Sequence, residues 1–327
     1  MITGKFSKVS VICGFVLLLG FFLLYRFYGS PKINEVLKVS PVIMSKAIDS
    51  SRRNKVSGLP EKRRRLPKAL IIGFNKCGSS TLRTFLTIHP DVVTPSQEIR
   101  FFNDHYSKGL EWYRRQMPRS TSRQITIEKT PGYIKSLKAL KRIYKFDPNI
   151  KLIAIIRNPV TRLLSKFAHF QARKSSYANM NFEKRLFRKG YFEERVRKSS
   201  DYLSKVQLVY SLFPEDQLII VSEEDLEADP LSLIRRILSF LGLRSTFSDD
   251  VFVFNETKGF FCVNKTHPLF PSVRRFVNET NGCMKDDKGR KHAEISQDLI
   301  SKIVEESRPY VEKLFHVISV NFNWSYY

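Results

Sequence analysis

The chain alternates between short unbroken apolar runs and longer stretches whose apolar residues recur every three or four positions. Unbroken runs lie at 68–74, 150–156 (Ile-Lys-Leu-Ile-Ala-Ile-Ile) and 218–222. They read as strands covered on both faces, as in a parallel sheet. Residues 124–128 alternate as a shorter strand, and helical periodicity covers 79–88, 134–145, 160–173, 202–212, 229–241 and 296–317. Strands alternating with helices predict an α/β fold built on a doubly wound parallel sheet. No internal repeat or low-complexity tract interrupts this order.

The N-terminal region shows another pattern. Val11–Tyr25 is an uncharged apolar run of 15 residues, closed by Arg26 and extended by Phe27 and Tyr28. It reads as a signal-anchor transmembrane helix over 11–28 behind a cytoplasmic tail at 1–10. A cleaved signal peptide is the alternative, but the following Arg-Phe-Tyr-Gly-Ser-Pro lacks a small-x-small cleavage site. Lys5 and Lys8 on one side balance Arg26 and Lys32 on the other, so charge does not orient the span. Residues 29–67, polar and basic with Glu-Lys-Arg-Arg-Arg at 61–65, read as a stem; 68–327 is then the functional domain. Four glycosylation sequons begin at Asn255, Asn264, Asn278 and Asn323. Of four cysteines, Cys13 lies in the apolar run and Cys77 in a glycine-containing loop. A disulfide between Cys262 and Cys283 fits a lumenal domain, with two buried free thiols as the alternative. No Cys/His spacing resembles a metal site.

Across 327 residues, 56 Lys and Arg against 31 Asp and Glu leave a net charge of +25. Such an excess implies a polyanionic partner: nucleic acid, anionic membrane or acidic polysaccharide. The anchor and sequons argue against nucleic acid.

Candidate chemistry collects at the ends of the expected strands, where open α/β sheets bind ligands. After 68–74 come Lys76, Cys77, Gly78, Ser79, Ser80 and Thr81, leading into a helix. Loop amides and a helix N-terminus there would cradle a phosphate. The spacing approaches a P-loop, but Ser79 comes after Gly78 where a nucleotidase needs lysine, and Lys76 sits inside the loop. That arrangement suits a phosphate-like group without a Mg²⁺ site, such as a 5′-phosphosulfate. Glu128-Lys129-Thr130-Pro131 closes the second strand, and Arg157-Asn158-Pro159 with Arg162 and Ser165 comes after the third. Arg157 and Ser165 could reach one phosphate through forked and hydroxyl donors. Glu98, in Glu-Ile-Arg-Phe-Phe-Asn at 98–103, is a carboxylate near these cationic groups, where a base for a hydroxyl proton would be useful; taken alone, the segment reads equally as carrying an ordinary surface glutamate.

Together these segments resemble the heparan sulfate sulfotransferases, most closely the glucosamine 3-O-sulfotransferases. The resemblance covers about 68–325 and rests on KALIIGFNKCGSSTL, HPDV at 89–92, EIRFFN, KGLEWYRRQMP at 108–118, QITIEKTPGY at 124–133, RNPVTRLLS at 157–165, KGFFC at 258–262 and KGR at 288–290. It implies a Golgi type II membrane enzyme, a monomer, using 3′-phosphoadenosine 5′-phosphosulfate (PAPS) to sulfate the glucosamine 3-OH of heparan sulfate. By the same resemblance, Lys76 and the amides through Thr81 hold the 5′-phosphosulfate, and Arg157 and Ser165 grip the 3′-phosphate. The Lys288-Gly289-Arg290 loop closes over the nucleotide, and Glu98 is the base. Lys129 lies by the transferred sulfate and the acceptor, and Cys262 and Cys283 match the family disulfide. The 3-O-sulfotransferases read Glu-x-His-Phe-Phe-Asp, whereas here Arg100 replaces His and Asn103 replaces Asp. Their phosphate loop reads Lys-Gly-Gly-Thr-Arg against Lys76-Cys-Gly-Ser-Ser here. Arg100 thus becomes an acceptor-facing candidate that bears on the position sulfated. The competing readings are transfer to another position or glycan, and a non-catalytic heparan-binding scaffold.

Overall fold

The computed structural model describes residues 61–173, 175, 180–245, 247–285 and 292–327. The expected anchor (11–28), most of the stem and the Lys288-Gly289-Arg290 loop lie outside them. Among the described residues, no helix is long and apolar enough to cross a membrane.

The frame is a five-stranded sheet. In chain order its strands are β1 (Ala69–Gly73), β2 (Val92–Val93), β3 (Ile125–Lys129), β4 (Lys151–Ile156) and β5 (Leu218–Ser222). They lie in the spatial order β2-β3-β1-β4-β5, and every pairing is parallel. All of β1 and all but the first residue of β4 are buried. Helices cover both faces, which is why these strands read as continuous apolar runs. The chain leaves β1 toward one edge and β4 toward the other, so a crevice opens between their carboxyl ends.

The principal helices are α1 (Ser79–Leu86), α2 (Leu137–Phe146), α3 (Pro159–Gln171), α4 (Pro230–Phe240) and α5 (Gln297–Ile318). The Asn158 side chain caps α3 by accepting from the Val160 amide at 2.9 Å, and Pro159 occupies its first turn. Val160, Leu163, Leu164 and Phe167 of α3 pack against Leu299, Ile303 and Val304 of α5 in a second apolar cluster. This fixes α3 against α5, while Ser165 and Lys166 of α3 line two cavities.

Three features differ from the sequence reading. Arg63–Arg64 pairs antiparallel with Arg119–Ser120, and Arg65 donates to the Ser120 carbonyl. The basic run assigned to the stem therefore reaches into the domain. The segment after Arg100 forms a π-helical turn, Phe101–His105, with Phe101 stacked on Tyr113 at 4.2 Å. The third is an unexpected hairpin of Phe252–Asn255 and Phe260–Val263, which the expected Cys262–Cys283 disulfide joins to a later loop. Gly282, at φ +70°, permits that join, since a Cβ there would lie 1.9 Å from the Val263 carbonyl oxygen.

Candidate active site

The crevice holds a cavity of about 510 Å³. One wall is the β1–α1 loop, from Asn75 and Lys76 through Gly78–Thr81. Lys76 and Gly78 both adopt left-handed backbone (φ +69° and +73°), which turns the loop tightly before α1. Gly78 also leaves room for the Glu223 side chain, which a Cβ would meet at 3.0 Å. Helix α1 starts without a side-chain cap and without an acidic residue in its first turn. Its first amides therefore keep their capacity for an anion. Cys77 is different: its side chain is fully buried, with the sulfur 3.8 Å from the Tyr202 hydroxyl. Burial pushes its thiol up to about 11, so only its backbone is available to a ligand.

Glu98 lines the same cavity. Its carboxylate accepts a 2.7 Å hydrogen bond from the Lys129 ammonium, which also donates to Ser80 Oγ at 3.2 Å. Lys129 is the last residue of β3 and only 4% exposed; burial lowers its pKa, opposed by Glu98. The loop carrying Glu98 is fixed on both sides. Arg83 of α1 donates to the Ser96 carbonyl at 2.8 Å. On the other side, the fully buried Glu128 carboxylate accepts from the Ile99 amide (3.3 Å), the Thr130 hydroxyl (2.6 Å) and the Tyr113 hydroxyl (3.3 Å). Burial raises the Glu128 pKa against those hydrogen bonds. Buried carboxylates persist when their acceptors are satisfied in this way.

Arg157, at the end of β4, and Ser165, on α3, also line the cavity. Arg157 is ion-paired to Glu223 at 2.7 Å, lies 3.9 Å from Glu227, and donates to Thr161 Oγ1 at 3.0 Å. Tyr202 holds this corner by donating to the Arg157 carbonyl at 2.5 Å. Desolvation pushes Glu223 up to about 8 despite the Arg157 attraction. His292, at the cavity edge, is lowered to about 4 by burial and by the Arg157 and Lys76 charges, so it is neutral at pH 7.

The structure thus gathers Lys76, Gly78, Ser79, Ser80, Thr81, Glu98, Arg157 and Ser165 around one cavity, with Lys129 directly behind Glu98. Arg100 does not line it. Its backbone is left-handed, its side chain is 53% exposed, and it pairs with Asp104. Sequence reasoning missed Glu223, which immediately succeeds β5 and thus occupies the same kind of strand end as the groups it did find. Of the sequon asparagines, Asn323 is exposed, while Asn255, Asn264 and Asn278 are half-buried. Among the described residues, no group of three or more His, Cys, Asp or Glu is placed to hold a metal ion.

A cationic cradle at a helix start, beside a carboxylate held on a lysine, is equipped to bind a phosphate-bearing donor and deprotonate an acceptor. Residues 66–314 match the family model described as a sulfotransferase domain. The human heparan sulfate glucosamine 3-O-sulfotransferase 6 is 35% identical over 266 residues, covering 80% of this chain and 75% of that protein. The mouse heparan sulfate glucosamine 3-O-sulfotransferase 5 is 34% identical, covering 79% and 74%. Among solved structures, a sulfotransferase from Alicyclobacillus acidocaldarius superposes with a TM-score of 0.57 at 20% identity, over 79% of this chain and 98% of that one, and supports the fold. The chain therefore belongs to the sulfotransferase family, among the heparan sulfate glucosamine 3-O-sulfotransferases.

Proposed function

We propose that the protein transfers a sulfuryl group from PAPS to the 3-OH of glucosamine residues in heparan sulfate. The observation that carries this reading is the Glu98–Lys129–Ser80 cluster on the wall of the cavity formed by the phosphate-type loop. PAPS supplies a sulfuryl group already activated by its phosphate leaving group. The residues present suit that donor: the start of α1, Lys76, Arg157 and Ser165 all line the cavity. Glu223 lies nearest Arg157, with Glu227 3.9 Å away, and the raised pKa of Glu223 lessens its opposition to a phosphate there.

Glu98 takes the acceptor hydroxyl proton as the oxygen–sulfur bond forms, because a neutral sugar hydroxyl is a weak nucleophile. Lys129 holds the Glu98 carboxylate in place and supplies positive charge beside the sulfate oxygens. Lys76 and the loop amides stabilise the charge that develops on the departing phosphate. Preorganised groups of this kind are usually worth ~10²–10³ in turnover each. The same reading makes the enzyme a monomer of the Golgi membrane, anchored by residues 11–28 with the domain lumenal. The Cys262–Cys283 disulfide and the sequons support an oxidising, glycosylating compartment.

The test is transfer of radiolabelled sulfate from PAPS to heparan sulfate by the full chain in detergent, beside Glu98→Gln, with the position read by disaccharide analysis. Label on glucosamine O3 that disappears with Glu98→Gln is the expected result. Label elsewhere would overturn the 3-O assignment and direct attention to Arg100 and Asn103. Glycan binding without any transfer would favour a non-catalytic scaffold.

A further inference from the structure

A second cavity, of about 290 Å³, adjoins the donor cavity. The two share Asn75, Lys76 and His169 in their walls. Helix α3 backs both, presenting Ser165, Ala168 and His169 to the first and Arg162, Lys166 and Phe170 to the second. The other wall carries Lys135, six residues beyond Lys129 on the β3–α2 connection, together with Lys198 and Ser199. Five of the nine lining residues are Lys or Arg and none is acidic, whereas Glu98, Glu223 and Glu227 all open onto the donor cavity.

These cations are not equivalent. Arg162 is committed to the fold: it donates to the Ser199 carbonyl at 2.6 Å and the Asn75 carbonyl at 3.3 Å, and lies 4.7 Å over the Tyr202 ring. Lys198 is paired with Glu194. Lys135 and Lys166 make no ion pair among the described residues. Desolvation, with the like charges of Arg162, Lys166 and Lys205, lowers Lys135 to about 8. Burial, and then Arg162 and Arg185, lower Lys166 as well. Both residues are nonetheless exposed to solvent. Like charges gathered without a counter-charge cost stability and are relieved by a bound anion.

We propose that this cavity is a subsite for an anionic substituent of the acceptor polysaccharide, a sulfo or carboxylate group, held by Lys135 and Lys166 beside the donor cavity. It rests on the sulfotransferase reading above and adds where the acceptor is recognised. The site's role is to select chains that carry a charge at a fixed place relative to the reacting hydroxyl.

The experiment compares the full chain with Lys135→Gln/Lys166→Gln and with Lys138→Gln/Lys145→Gln. The second pair removes the same charge from exposed positions on α2 that lie outside this cavity. Acceptors are N-sulfated heparosan and N-acetylated heparosan, which carries only carboxylates. The expected result is a rise of about tenfold in acceptor KM for the cavity variant, equivalent to ~1.4 kcal/mol, with little loss in kcat and retained affinity for 3′-phosphoadenosine 5′-phosphate (PAP). A rise confined to the N-sulfated acceptor identifies a sulfo group, and an equal rise for both identifies a carboxylate. Unchanged KM, or an equal rise in the α2 control, overturns the subsite. If the wild-type chain transfers to neither acceptor nor to heparan sulfate, the sulfotransferase reading fails. The subsite is then judged by heparan sulfate affinity chromatography, where unchanged elution salt for the cavity variant overturns it.

Discussion

Replacing Lys129 by methionine separates charge from shape at the reaction centre. Methionine fills nearly the same buried volume, and Lys129 is only 4% exposed, so packing is largely conserved. What is lost is an ammonium 2.7 Å from Glu98 Oε1. At an effective dielectric of 20, that separation corresponds to a gross attraction of about 6 kcal/mol. Desolvation of the lysine and the 35% exposure of Glu98 offset much of it. The charge that grows on the sulfate oxygens appears only during transfer and meets no such offset. Loss of one preorganised donor then costs about 3–4 kcal/mol, or ~10²–10³ in kcat. Binding of PAP is expected to stay within about threefold, because the β1–α1 loop and Arg157 are untouched. Glu98→Gln and the double variant complete a cycle, and the pair should be strongly non-additive because both residues serve one proton and one charge. The assay is steady-state transfer of radiolabelled sulfate, with PAP affinity by calorimetry. A Lys129→Met enzyme that folds, binds PAP normally and turns over within threefold of wild type would refute the assigned role.

Gly78→Ala forces a side chain into left-handed backbone and within 3.0 Å of Glu223 Cγ, so PAP affinity should fall at least tenfold while thermal stability drops by only ~1–2 kcal/mol; unchanged affinity by calorimetry would contradict the cradle. Glu223→Gln should alter pH dependence. The Glu223 carboxyl lies above its usual value, at about 8, so folding favours its protonated form. Its contribution is complete below about pH 4.5 and is lost as pH rises through 8. Melting curves of wild type and variant should therefore coincide near pH 4, with the variant ahead by pH 9; a constant offset would argue against it. Removing the Cys262–Cys283 disulfide, which closes a separation of 21 residues, should cost ~3 kcal/mol by chain entropy, measured by denaturant unfolding with the free thiol Cys77 unchanged.

Much of this architecture is readable in one dimension because its strands are buried on both sides. Ala69–Gly73 and Lys151–Ile156 announce themselves by continuous apolar runs, and the groups just beyond them inherit their position from the parallel topology. The two-residue strand Val92–Val93 is too short to show a period. The hairpin at 252–263 escapes for the opposite reason: Val253 and Phe254 are 42% and 49% exposed, so its apolar residues do not mark an interior. Helix Phe192–Ser200 buries one apolar side chain, Val196, among charges, which leaves almost no stripe to detect. Within the cavity, Lys76, Glu98 and Arg157 are legible as charges at element ends. Glu223 was hidden because a carboxylate opening a helix is ordinarily explained by the helix dipole. Arg100 lies one residue from a buried position in a π-helical turn, and its orientation is set by a backbone that no periodicity encodes.

The Glu128 latch divides responsibility in a way that bears on how specificity can change. Glu98 owes its place to bonds anchored upstream, at Ser96, and on the neighbouring strand, through Ile99, and the next amide, that of Arg100, donates to Thr130 Oγ1 at 3.1 Å. Within Arg100–His105, Phe101 and Phe102 are buried in the core, so only Arg100, Asn103, Asp104 and His105 can be rewritten while the Glu98 carboxylate keeps its address. Those four positions are the ones to exchange when acceptor choice is to be tested apart from the groups that line the donor cavity.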